Sequence, residues 1–312
     1  MSQMTPAQAR AVDPILTEIA RGYRSPKAAA ADALFPIVQV SQRAGKIIAF
    51  GLEDFRLISS AYAPGAAAKR VQVGYASGDY ALTDFRLEAV TPYILAEEAA
   101  AVPGIDLIAA SVRKVQNAMA LERERAAAVL ATTAGNYGTN NKDTLSGTAQ
   151  WSDPSSSPAA AIAAAREAIR SQTGEYPNTL VVSPKVRSAL SVHPKLLDRI
   201  STSSDRTPLN LAQLAALLEV DRVVVGEAIY HDGSAFVDVW GKDAVLAYTT
   251  PASLQEMGSP SYGYTYQLAG RPMVEEGYED RPHDSWVNPV TDARKAVIAA
   301  STAGFLFKAA VA

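Results

Sequence analysis

Apolar residues recur three and four apart at Ile105, Ile108, Val112, Val115, Met119, Ala126 and Val129. That spacing places side chains on one face of an α-helix. It predicts a helix over about residues 104–134, between the Pro103-Gly104 break and a stop at Gly135, with only Glu122 interrupting the stripe. Asp106 falls in the first turn, where the helix macrodipole favours an anion. Some 30 residues at 1.5 Å each give a rod of about 45 Å, far longer than the usual three turns. The run is too short for an extended coiled-coil arm, so it reads as a strut.

Upstream the pattern changes character. Residues 1–36 are broken by Pro6, Pro14, Pro26 and Pro36, with a short helical stripe at Ile15, Leu16 and Ile19, and they read as an arm. Strand-like runs follow at Ile37–Val40, Lys46–Phe50, Lys69–Tyr75 and Tyr80–Val90, with turns expected at Arg43-Ala44-Gly45 and Ala76-Ser77-Gly78-Asp79. Phe85, Leu87 and Ala89 alternate with Arg86 and Glu88, the period of a strand wet on one face. An isolated two-stranded ribbon is marginally stable in water. This excursion must therefore lean either on its own chain or on a neighbouring subunit, and the pattern alone leaves both open.

Residues 136–158 are rich in Gly, Asn, Ser and Thr and mark a boundary. Beyond it Ser157-Pro158 opens a helix with Ile162, Ala165 and Ile169 inward and Gly174 closing it. A strand at Thr179–Ser183, helices at Pro184–Ser191 and Pro194–Ile200, and a Leu-rich helix after Thr207-Pro208 come next. The Arg222–Val225 strand, a hairpin turning at Asp232-Gly233, and strands at Ala244–Thr249 and around Gly304–Phe307 complete a mixed α and β order.

Composition narrows the classes of function. The 312 residues carry 29 Lys+Arg against 32 Asp+Glu and no cysteine. Disulfides, thiolate metal sites and a cysteine nucleophile are therefore excluded. A formal net charge of -3 without a basic cluster argues against binding nucleic acid through a basic face. The first residues show no basic stretch followed by an apolar run, and the most apolar windows fall short of a bilayer span, so a soluble chain is expected.

Candidate chemistry is sparse. Nucleotide-binding glycine loops, the serine-nucleophile elbow and the HExxH zinc motif are all missing. Of three histidines, His193, His231 and His283, the last two precede Asp232 and Asp284, residue types that suit a hydrolytic metal ion. Asp-Gly at 232–233 is also the favoured hairpin turn, and that reading outweighs the metal. Glu275, Glu276, Glu279 and Asp280 beside Pro282 read as a solvated loop. Asp205-Arg206 and Glu122–Arg125 read as surface ion pairs, each worth about 0–1 kcal/mol, which could set register at a subunit contact.

A resemblance joins these pieces. Leu34-Phe35-Pro36 before the first strand, Phe85–Ala89 leading to Pro92 and Glu97-Glu98, and Glu122-Arg123 in the long helix resemble the extended loop and spine helix of tailed-bacteriophage major capsid proteins. Their fold is shared with encapsulins and herpesvirus capsid floors. GTAQWSDP at 147–154, YPNTLVVSP at 176–184 and WGKDAVLAY at 240–248 resemble the start and core of that family's axial domain. The likeness runs in order along nearly the whole chain, although each motif is short. It implies an α+β capsid fold with an N-terminal arm at 1–36, an extended β-hairpin loop at 37–92, a spine helix and peripheral domain at 93–157, an axial domain at 158–283 and a C-terminal return to the peripheral domain at 284–312.

The resemblance also implies a role. It makes the chain a coat protein whose partners are copies of itself in pentamers and hexamers, enclosing double-stranded DNA without sequence-specific binding. Assembly would take place in the bacterial host cytoplasm and end in the virion, with scaffold, portal and decoration proteins as further partners and no membrane. No catalytic, cofactor or metal residue is implied. Arg56, Lys69, Arg70, Tyr80, Arg86, Glu122, Arg123, Glu124 and Arg125 are the candidate intersubunit contacts. An encapsulin-like compartment and a His/Asp metal hydrolase are the alternatives.

Overall fold

The computed structural model describes residues 29–49, 76–100, 106–200, 207–250 and 261–312. The Ile15–Ile19 stripe, the Lys69–Tyr75 run and Asp205-Arg206 lie outside them.

Two sheets are joined by one long helix. The first sheet is organised around β14 (Ser285–Ile298), a strand of 14 residues. Along one edge β14 pairs antiparallel with β4 (Thr83–Pro92) over ten successive positions, from Ser285 opposite Pro92 to Arg294 opposite Thr83. Along the other edge it meets β13 (Tyr278–Asp280), β12 (Met273–Val274) and β11 (Gly263–Leu268) in turn, and β11 pairs in parallel with β1 (Ile37–Val40). Pro289 sits within β14 at the break between β12 and β13, where its carbonyl still accepts from the Glu275 amide. A missing N–H is tolerated at such an interruption.

The second sheet has the order β5 (Lys142–Thr144), β15 (Gly304–Lys308), β10 (Ala244–Ala247), β6 (Thr179–Val182), β7 (Arg222–Val225). Its inner strands β15, β10 and β6 are covered on both faces and read as nearly continuous apolar runs. Leu180, Val182, Leu246, Phe305 and Phe307 enter one core with Ile162 and Ile169. Val181, Val245, Ala247 and Leu306 point the other way and enter a second core. The first face is covered by α4 (Pro158–Thr173), α5 (Pro184–Ser191), α6 (Pro194–Ile200) and α7 (Leu211–Leu217). Pro158 opens α4 and Gly174 closes it in the left-handed region at φ 75°, as the pattern predicts.

The long helix, α3 (Leu107–Thr132), has 26 residues and spans about 39 Å. The Asp106 side chain caps it by accepting the Ala109 amide. Its stop differs from the expected glycine cap: Thr133 turns extended, and Gly135 lies in the short turn that follows. Val112 and Met119 in its first half pack on the first sheet with Ala89 and Val290. Ala127, Ala128 and Ala131 in its second half pack on the second sheet and on α1 (Ala29–Leu34). Val129, expected on the buried stripe, is 57% exposed. A strict three-and-four count drifts off a 3.6-residue helix, and the true inward path runs through Glu124, a residue that hydropathy alone would place outside.

Three further expectations are corrected. Ala76–Asp79 is not a turn: it belongs to β3 (Ala76–Ala81), antiparallel to β2 (Ala44–Ala49), because ladder pairing overrides the poor strand propensity of Gly78 and Asp79. Residues 29–35 of the expected arm are core, with Ala30, Leu34 and Phe35 fully buried. The last strand, β15, pairs with β10 and β5 in the second sheet, so within 284–312 only β14 belongs to the first.

Candidate assembly surfaces

The paired ribbon grows out of the first sheet. The Leu82 amide donates to the Arg43 carbonyl, and the Arg43 guanidinium lies 2.6 Å from the Asp84 carboxylate at the ribbon's foot. Tyr80 stacks on Tyr266 with ring centroids 4.4 Å apart. A Cβ at Gly45 would come within 2.8 Å of the Tyr80 ring, so a larger residue there would have to push that ring from its place. Of the candidate contacts, Tyr80 is thus buried against its own subunit, and Arg56, Lys69 and Arg70 lie outside the described residues. Arg86 is half exposed, 3.2 Å from Glu88 and 3.7 Å from Glu275.

The charged block at 122–125 is a junction inside the subunit. Successive helix positions point about 100° apart, so four consecutive side chains reach four directions. Glu122 lies 3.7 Å from the Arg294 guanidinium on β14. Arg123 lies 3.1 Å from Asp32 on α1. Arg125 sits over the Tyr230 ring at 4.7 Å. Glu124 is fully buried: one carboxylate oxygen accepts the Ala31 amide at 3.0 Å and the other the Trp240 Nε1–H at 2.7 Å. Burial raises its pKa, partly offset by those two hydrogen bonds. As placed, Glu124 has no surface to offer a neighbour.

A second buried charge secures the other half of the helix. Arg294 bonds Asp292 at 2.5 Å and the Met119 carbonyl at 2.9 Å, and it covers the Phe85 ring at 4.5 Å. Gln267 donates to the remaining Asp292 oxygen, which locks β11, β14 and α3 together.

The histidines do not converge. His193 is buried, with Nε2 3.0 Å from the Ser156 hydroxyl. His283 bonds Asp280 in the turn after β13. His231 ends β8 (Ile229–His231), which pairs with β9 (Phe236–Asp238). In that hairpin one Asp232 oxygen accepts from the Ser234 and Ala235 amides and the Ser234 hydroxyl, which holds its pKa below the ordinary carboxylate value. The turn role expected of Asp232-Gly233 is the one seen. Among the described residues no group of three or more His, Asp or Glu is placed to hold a metal ion.

Apolar side chains missed by sequence reasoning remain on the surface. Leu87 and Val90 on β4, Ile94 and Leu95 on α2 (Tyr93–Ala100), and Trp286 on β14 are exposed, most of them towards the end of β4 away from the ribbon. Ile229 and Phe236 are exposed on the β8–β9 hairpin, and Val192 at the end of α5. Such groups are normal singly and informative in clusters. Among the described residues no helix is long and apolar enough to cross a membrane.

No protein-family profile matches the chain. The major capsid protein of Burkholderia phage BcepMu is 36% identical over 279 residues, covering 87% of this chain and 88% of that protein. The major capsid protein of Pseudomonas phage JBD67 is 28% identical over 320 residues, covering 96% and 97%. Among solved structures, a phage-related protein from Bordetella bronchiseptica RB50 superposes with a TM-score of 0.82 at 41% identity, covering 97% of this chain and 98% of that one. The SrpI encapsulin complex from Synechococcus elongatus shares the fold alone, with a TM-score of 0.56 at 8% identity and coverage of 91% and 88%.

Proposed function

This chain belongs to the phage major capsid proteins, and from that premise we propose that it closes pentamers and hexamers into an icosahedral head around double-stranded DNA. The capsid-shell role follows from the family and the fold. The ring stoichiometry, the DNA and assembly in the host cytoplasm are our reading of this subunit. In that reading the first sheet and α3 form a peripheral domain, the second sheet with its helices forms an axial domain, and the ribbon reaches a neighbour.

The observation that carries the reading is the rigid junction at Glu122–Arg125. A shell subunit must transmit contacts made at its rim to contacts made at its axis, and a flexible link would let closure angles wander. Here one helix is bonded to β14 of the first sheet, to α1 and to Trp240 in the turn that leads into β10, all within a single helical turn. The near-neutral charge fits a wall that confines DNA without gripping phosphate. The role is structural: both His-Asp pairs sit in tight turns, and His231 and His283 serve those turns locally. The encapsulin alternative shares the fold, but the similarity in sequence lies with the phage proteins.

Electron microscopy with size-exclusion chromatography tests this, on the chain expressed alone and then with its neighbouring genes. Closed shells or five- and six-membered rings are expected. A small oligomer under every condition would overturn the reading.

A further inference from the structure

We infer that the β8–β9 hairpin of one copy docks on the α5–α6 face of the next copy around a ring, an inference that rests on the shell reading and adds to it a specific pair of surfaces. The hairpin is built to hold its shape. Its turn is fixed by the three hydrogen bonds to Asp232, with Gly233 at φ 106° supplying the left-handed step. Its base is tied to the subunit by Lys185 to Asp238 at 3.1 Å and by Arg125 over Tyr230. Yet the rigid end presents Phe236 at 73% exposure, the most exposed large apolar side chain among the described residues, edge-on to His231 opposite it, with Ile229 diagonally across on the paired strand. A preorganised aromatic left in water adds nothing to the subunit's own core. It is the kind of group that anchors an interface at low cost in side-chain entropy.

Charge selects the occupant. Residues 227–238 contain three carboxylates and no lysine or arginine; with Asp238 paired to Lys185 of its own subunit, Glu227 and Asp232 remain. Residues 186–199, past the internally paired Lys185, contain three cations, Arg187, Lys195 and Arg199, against one carboxylate, and among them stands Val192 at 55% exposure. An acidic projection with an apolar tip thus matches a basic face with an apolar centre. The two apolar groups do not cover each other within one subunit, since both remain exposed. Their complement lies on another copy. Because the matching surfaces are different patches, the contact is heterologous and repeats head to tail, closing into a ring when the rotation allows. A two-fold pairing would instead set acidic hairpin against acidic hairpin.

The test uses two full-length variants, Phe236→Asp and Val192→Asp, compared with wild type by circular dichroism, analytical ultracentrifugation and electron microscopy. Both positions are exposed, so both variants should fold as wild type does. Each alone should lose ring and shell formation at least tenfold. Mixed in equal amounts they should form a heterodimer that grows no further, because the intact hairpin of one meets the intact face of the other while the opposite junction is doubly disrupted. Variants that assemble as wild type, or a mixture that stays monomeric, would overturn the inference and leave the shell reading standing. A wild type that forms neither rings nor shells would overturn both.

Discussion

Glu124 shows how much one residue can decide. A carboxylate taken out of water is costly unless its oxygens are hydrogen-bonded, and here Ala31 N–H and Trp240 Nε1–H supply that bonding. Trp240→Phe keeps an aromatic side chain but removes the indole N–H and leaves a small cavity, so the carboxylate is half satisfied. Chemical denaturation should show a loss of about 2–4 kcal/mol. The same site gives a pH signature. Burial, with Asp32 adding repulsion and Arg123 attraction, holds the folded carboxyl above 4.5, the ordinary value at which the unfolded chain titrates. The folded state therefore binds this proton more tightly, and the stability it contributes is full below the unfolded pKa and lost as pH rises through the folded one. Glu124→Gln removes that dependence. Unfolding free energy of wild type minus variant should rise as pH falls from 7 towards 4.5, then level off. Taking the difference removes the opposite trend of Asp153, Glu167 and Asp232, whose lowered pKa values weaken both proteins on acidification. A flat or falling difference would refute this account.

At the scale of elements, the helix face is the clearest case of a pattern read in the right place with the wrong phase. The existence and extent of α3 were legible from its period and from Asp106. Its inward face was legible only as far as Met119, because beyond it the buried positions are alanines and one glutamate, which carry little hydropathy signal. Stability measurements separate the two faces. Val112→Lys should cost about 3–5 kcal/mol, since it drives a charge into the contact with Ala89 and Val290. Val129→Lys should stay within about 0.5 kcal/mol. Equal costs would restore the stripe through Ala126 and Val129. The strands β11 and β14 were illegible for a related reason. Their buried positions include Thr265, Gln267, Asn288, Asp292 and Arg294, polar groups that only tertiary partners make tolerable. The inner strands of the second sheet were legible because both their faces are covered, so β15, β10 and β6 are mostly apolar, and the proline and glycine signals at the ends of α4 are unambiguous; the edge strand β5, Lys-Asp-Thr, carries no such signal.

At the scale of the whole molecule, the question is whether the ribbon belongs to the fold or to the shell. Its foot belongs to the fold. Tyr80 stacks on Tyr266, Arg43 pairs with Asp84, and β3 runs straight into β4, which lies along β14 for ten positions. A deletion that removed these would unfold part of the first sheet and say nothing about assembly. Replacing residues 51–74 with a short Gly-Ser turn keeps β2 and β3 paired and removes only what lies beyond them. If residues 51–74 serve the subunit, their deletion should lower the melting temperature. If it serves a neighbour, the melting temperature of the isolated subunit should hold while closed shells fail to form. Rings should still appear, because the hairpin and the α5–α6 face are untouched. We expect this second outcome: a stable subunit, rings by electron microscopy and no closed shells. Normal shells from the deletion would show that these residues are dispensable for closure, and a destabilised subunit would return the ribbon to its own chain.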